Sequence, residues 1–108
     1  VNIYYDPEKF GLETIGEIDW SSGAYEFDYT VVWKRISDGR FVYAEDSGCS
    51  CPSPFEQTGI EGLIVLRKRG GLAEFKAHCA EREGTGYDGP RTVETAELLE
   101  RMHAAGAR

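Results

Sequence analysis

One stretch of the 108-residue chain combines residue types and spacing that could carry chemistry: Asp46-Ser47-Gly48-Cys49-Ser50-Cys51-Pro52-Ser53-Pro54-Phe55-Glu56. Cys49 and Cys51 form a Cys-x-Cys pair that can offer two thiolates to a metal, and His78 with Cys79 would complete a tetrahedral zinc site. The spacing argues against it. Structural zinc motifs separate paired cysteines by two to four residues. Adjacent residues on a helix point about 100° apart, so His78 and Cys79 do not readily reach one ion. Cys79 also falls on an apolar stripe, where a thiol behaves as a small hydrophobe. A zinc-supported domain built on the Cys49/Cys51 loop is therefore an alternative reading, and the leading reading has no cofactor.

Other chemistries are weaker still. A cysteine nucleophile at Cys49 or Cys51 would need His78 or His103 as its base, and both histidines flank helical stripes with no triad spacing around them. Glu45 and Asp46 are neighbours on a strand, so they point to opposite faces. Glu17 and Asp19, like Glu26 and Asp28, share a face, which reads first as a solvated acidic sheet surface. The glycine pairs match no phosphate-binding loop. Arg67-Lys68-Arg69 is a basic cluster that a strand would divide between two faces. No catalytic residues emerge, and the chain is not expected to be an enzyme.

Without chemistry, the proline-rich stretch is a rigid, side-chain-packed loop with Phe55 plugging the core and the cysteines beneath it. A rigid loop with aromatic neighbours also makes a protein-binding surface. The residues that would form it are Trp33, Asp46, Cys49, Cys51, Pro52 and Phe55.

Bulk properties narrow the setting. The length fits a single domain over residues 1–108, and 41% hydrophobic residues supply a core without staples. The longest apolar run, Leu63–Leu66, stops at Arg67, far short of the roughly 20 residues that span a membrane. The N-terminus shows no signal-peptide pattern and the three cysteines are an odd number, so a reducing cytoplasm is expected. The net charge of −7 is concentrated in residues 1–60, which carry 11 acids against 4 bases. Such a front half repels polyphosphates, so direct nucleic-acid binding is not expected. It suits solubility or a basic protein partner. It also admits an acidic nucleic-acid mimic, with Glu13, Glu17, Asp19, Glu26 and Asp28 as a phosphate-like row.

The elements that position these residues are legible. Leu12–Trp20 reads as a first strand, with Ser21-Ser22-Gly23 as its turn. Along Tyr25–Ile36, Tyr25, Phe27, Tyr29, Val31 and Trp33 alternate with Glu26, Asp28, Thr30 and Lys34, the period-two pattern of a strand. Asp38-Gly39 predicts a two-residue hairpin to Arg40–Asp46, pairing Ile36 with Phe41, Lys34 with Tyr43, Val32 with Glu45 and Trp33 with Ala44. Ser47–Gly59 reads as loop, and Leu63–Lys68 as a fourth strand or a connector. Leu72, Phe75 and Cys79 predict a helix over 72–82. Gly84–Pro90 is a connection. Thr92 reads as the N-cap of a second helix with the stripe Thr95, Leu98, Leu99 and Met102, stopped at Gly106. Tyr4, Tyr5 and Phe10 should pack onto the domain. The expected class is α+β: an antiparallel meander of three to four strands, then two C-terminal helices on one sheet face.

The segment Tyr4-Tyr5-Asp6-Pro7-Glu8-Lys9-Phe10-Gly11-Leu12, the strand with Tyr25, Phe27 and Asp28, Val31-Val32-Trp33, and the Asp46–Glu56 string resemble small uncharacterised proteins encoded by bacteriophages of actinobacteria. The resemblance covers residues 4–57. It implies synthesis in a bacterial host's cytoplasm and carries no catalytic role. By analogy with other small phage proteins, it implies binding to a host or phage protein. The expected function is therefore a non-enzymatic protein-binding module, with no membrane association.

Overall fold

The alternating segment forms β2 (Glu26–Arg35) in a computed structural model that describes residues 2–21, 26–49, 53–83 and 91–108. β1 (Leu12–Asp19) and β3 (Phe41–Cys49) flank it, and β4 (Ile64–Val65) adds a short edge, all antiparallel in the order β1-β2-β3-β4. Helices α1 (Gly71–Glu83) and α2 (Thr92–Ala104) follow. The α+β class and the four-stranded meander followed by two helices are as expected. Tyr25, the turn at Ser22-Gly23 and the Gly84–Pro90 connection lie outside the described residues.

Both faces of the sheet are covered, by different means. On one face Phe75 and Cys79 of α1 and Leu98 and Met102 of α2 pack on Ile18, Val32, Phe41 and Tyr43. On the other, Val31, Trp33, Val42 and Ala44 are covered by Ile3, with Tyr4 and Phe10 alongside, and by Phe55. The aromatic face of β2 thus takes neither α-helix. The face that carries Asp28, Thr30 and Lys34 receives both. Tyr4 and Phe10 pack as expected, whereas Tyr5 is 61% exposed.

Gly16 sets the distance between β1 and α2. A Cβ there would lie 2.8 Å from Leu98 Cδ1 and 3.3 Å from an Arg101 guanidinium nitrogen. Beside it the register slips between Thr14 and Gly16, so Ile15 forms a bulge. Polar ties hold the ends of α2. Lys34 Nζ donates to Ala105 O at 2.7 Å, where the C-terminal end of a helix favours a cation. Arg91 donates to Asp19 O and Ser21 O, both at 3.0 Å.

Three local expectations are corrected. The hairpin is wider than two residues: Lys34 faces Phe41, Val32 faces Tyr43 and Trp33 faces Val42. A two-residue Asp-Gly loop would need positive φ at both residues, yet only Gly39 has it, at +72°. Asp38 instead accepts from Arg40 N at 3.1 Å and from the Arg35 guanidinium at 2.6 Å, which holds its carboxyl at about 2. The shift is an even number of residues, so every side chain keeps its face. Second, Ser47, Gly48 and Cys49 are not loop but the end of β3, opposite Asp28, Phe27 and Glu26. Third, Arg91 holds the N-cap position of α2, and Thr92 is its first helical residue. Gly106 ends the helix as expected: Gly106 N donates to His103 O and Ala107 N to Met102 O.

Candidate functional site

The structure disperses the loop residues that the sequence singles out. Trp33 and Phe55 are both 0% exposed and meet edge to face at 5.6 Å, so they are core and not docking surface. Asp46 turns its carboxylate inward and accepts Phe55 N at 2.7 Å. That bond holds Phe55 in a left-handed conformation (φ 61°), with its ring stacked on Tyr4 at 5.8 Å. Cys49 is exposed at the end of β3. Cys51 and Pro52 lie outside the described residues. Cys79 is buried in the helix-covered core, away from the face that Phe55 closes. Among the described residues no group of three or more His, Cys, Asp or Glu is placed to hold a metal ion.

What the fold does assemble is a polar cluster between β2, β3 and α1. Thr30 and Glu45 are cross-strand partners on the helix-covered face. Thr30 Oγ1 donates to Glu45 Oε2 at 2.5 Å and accepts from Trp20 Nε1 at 2.8 Å. From α1, His78 Nε2 sits 3.0 Å from the same carboxylate oxygen, in contact but off the axis of a hydrogen bond. Arg82, one turn further on, donates to Asp28 Oδ2 at 2.6 Å, approaches Glu45 at 3.7 Å and lies 5.1 Å over the Trp20 ring. Asp28 and Glu45 are therefore not a solvated acidic row, and Asp19 likewise spends its carboxylate on Ser21 and on Asp28 N.

Chemically this cluster resembles the parts of an acid–base site but is closed as a lock. One oxygen of Glu45 already meets Thr30, His78 and Arg82. Its hydroxyl, Thr30, is fully buried and already donates to Glu45. The arrangement ties α1 to two strands. Sequence reasoning singled out His78 but missed Asp28, Thr30, Glu45 and Arg82 as its company. The available signal was the four-residue spacing of His78 and Arg82, which places both on one helix face.

Cys79 sits on that same helix with no exposure, and burial pushes its thiol up from 9.0 to about 12. The folded state therefore holds a proton that the unfolded chain releases, a contribution present below pH 9.0 and lost as pH climbs toward 12. We expect the Cys79 peptide to stay unmodified by iodoacetamide at pH 8.5 and to react once urea unfolds the chain. Native labelling of Cys79 as fast as that of the exposed Cys49 would contradict its placement.

The profile of a domain of unknown function, DUF7574, matches residues 1–108. The chain belongs to the DUF7574 family. No curated protein and no solved structure matches it. No described helix of this DUF7574 domain is long and apolar enough to cross a membrane.

One surface of the DUF7574 domain departs from the polar norm. Ile60, Ile64 and Val65 are 51%, 48% and 40% exposed within six consecutive residues. Ile64 and Val65 are β4 itself, the terminal strand of the sheet.

Proposed function

We propose that this DUF7574 domain is a non-enzymatic binding module that takes an extended segment of a host or phage protein along the outer edge of β4. The exposed apolar group Ile60, Ile64 and Val65 on a terminal strand carries the reading. An edge strand presents backbone donors and acceptors on its open side, and a partner strand can satisfy them while burying side chains on both faces. The opposite edge supports the assignment by contrast. β1 carries exposed Glu13 and Glu17 and a bulge at Ile15, the features that discourage strand addition. The engagement of Glu45 by Thr30, His78 and Arg82 and the burial of the Cys79 thiol support the non-enzymatic reading. The resemblance of residues 4–57 to actinobacterial phage proteins supplies the setting, a host cytoplasm.

The test is affinity capture from an actinobacterial lysate with the unaltered chain, an Ile64→Asp, Val65→Asp pair, and Val93→Asp as a control at a distant exposed apolar position. The edge pair is expected to weaken the stoichiometric partner at least ~10-fold, about 1.4 kcal/mol, with circular dichroism unchanged, while Val93→Asp has no effect. A partner held equally by all three chains would remove β4 from the interface and end this reading.

A further inference from the structure

β4 stops at Val65, so Arg67-Lys68-Arg69 is not split between two sheet faces. It forms the turn into α1, and all three residues line one cavity of about 230 Å³. Arg40, just before β3, and Arg108, after α2, complete its wall. Asp38 is the one acidic residue on the lining, and it is already paired with Arg35 at 2.6 Å. Arg67 reaches Glu74 at 3.3 Å but its side chain stays 71% exposed. Among the described residues no carboxylate pairs with Arg40, Lys68, Arg69 or Arg108. Five basic groups thus converge on one hollow in a chain of net charge −7. A bound anion would relieve their mutual repulsion.

The amides of Gly70 and Leu72, at the start of α1, donate to Arg108 O at 3.1 and 3.2 Å, which fixes Arg108 beside the hollow and leaves the anion to the side chains. Arg40 gives Nε and Nη2 to Leu66 O at 3.3 and 3.0 Å, which fixes its guanidinium beside the cavity and, among the described residues, leaves Nη1 uncommitted.

We propose that this cavity is a binding site for a small phosphate-bearing molecule. Guanidinium groups offer paired donors and Lys68 a compact charge, a combination suited to three acceptor oxygens and a charge near about −2. A carboxylate, with two oxygens and one charge, would leave most of these donors unused. The volume lies below the roughly 300–1,000 Å³ of sites for larger ligands, so it takes a phosphoryl group with a small substituent and not a dinucleotide.

The experiment is a titration of the ¹⁵N-labelled full chain with inorganic phosphate at constant ionic strength. Saturable amide shifts confined to residues 39–41, 66–72 and 106–108 are expected. A charge-reversed pair, Lys68→Glu with Arg69→Glu, is exposed and so compatible with folding, and should weaken binding at least tenfold. The milder Lys68→Gln, Arg69→Gln pair should weaken it in the same direction. Ile64→Asp, which tests the β4 edge, should leave phosphate binding unchanged, so the two readings fail separately. Shifts that do not saturate, that acetate reproduces at equal ionic strength, or that survive charge reversal would overturn the site.

Discussion

Phe55→Ala is expected to lower the stability of the folded chain by about 3–5 kcal/mol. Domains of this kind hold only roughly 5–15 kcal/mol in total, so the melting temperature should fall on the order of 15 °C. Phe55 has no exposed surface, stacks on Tyr4 at 5.8 Å and meets Trp33 edge to face at 5.6 Å. It packs into the sheet face that neither α-helix covers, so its removal leaves a hole between Tyr4 and Trp33. Its φ of 61° adds a diagnostic. Alanine keeps the Cβ and therefore the backbone strain, of about 1–2 kcal/mol, whereas glycine relieves it. Phe55→Gly should thus be no less stable than Phe55→Ala, although it removes one more carbon. Urea unfolding of the two variants against the unaltered chain measures both differences. A loss below about 1 kcal/mol for Phe55→Ala would mean that the ring does not cover this face.

That plug marks how far the sequence could be read. The period-two pattern of β2, the apolar stripes of both helices and the stop at Gly106 are local signals, and each appears in the structure where it was expected. Phe55 was legible as a core plug because it is the one aromatic in the proline-containing Asp46–Glu56 stretch. Which face it would plug was not legible. Alternation separates Phe27, Tyr29, Val31 and Trp33 from Asp28, Thr30 and Lys34 without saying what covers either set. Asp28 reads as part of a solvated row because its partner Arg82 lies more than thirty residues away in sequence, and more than thirty residues also separate Glu45 from His78. The same limit hid the basic cavity. Arg67-Lys68-Arg69 gains its meaning only when the strand ends early and Arg40 and Arg108 arrive from other parts of the chain.

Whether the Glu45 cluster is a lock or a surface ion pair has a direct energetic answer. Glu45→Ala removes the acceptor of Thr30 and the carboxylate facing His78 and Arg82. A fully buried pair broken in this way costs about 3–5 kcal/mol. Here the side chains of Glu45 and Arg82 remain 28% and 26% exposed, and water repays part of the loss. The expected cost is therefore about 2 kcal/mol, near the middle of the range for a buried donor left without its acceptor. Glu13→Ala, an exposed acid on β1, should change stability by no more than about 0.5 kcal/mol. Glu45→Gln separates the contributions, because its amide oxygen can still accept from Thr30 while the charge facing Arg82 is gone. A double-mutant cycle of Glu45→Ala with Arg82→Ala should show a coupling of at least roughly 0.5 kcal/mol. If Glu45→Ala costs no more than Glu13→Ala and the cycle shows no coupling, Glu45 does not tie α1 to the sheet. The cluster would then be solvent-screened polar surface, open to the partner chemistry that its inward bonds otherwise preclude.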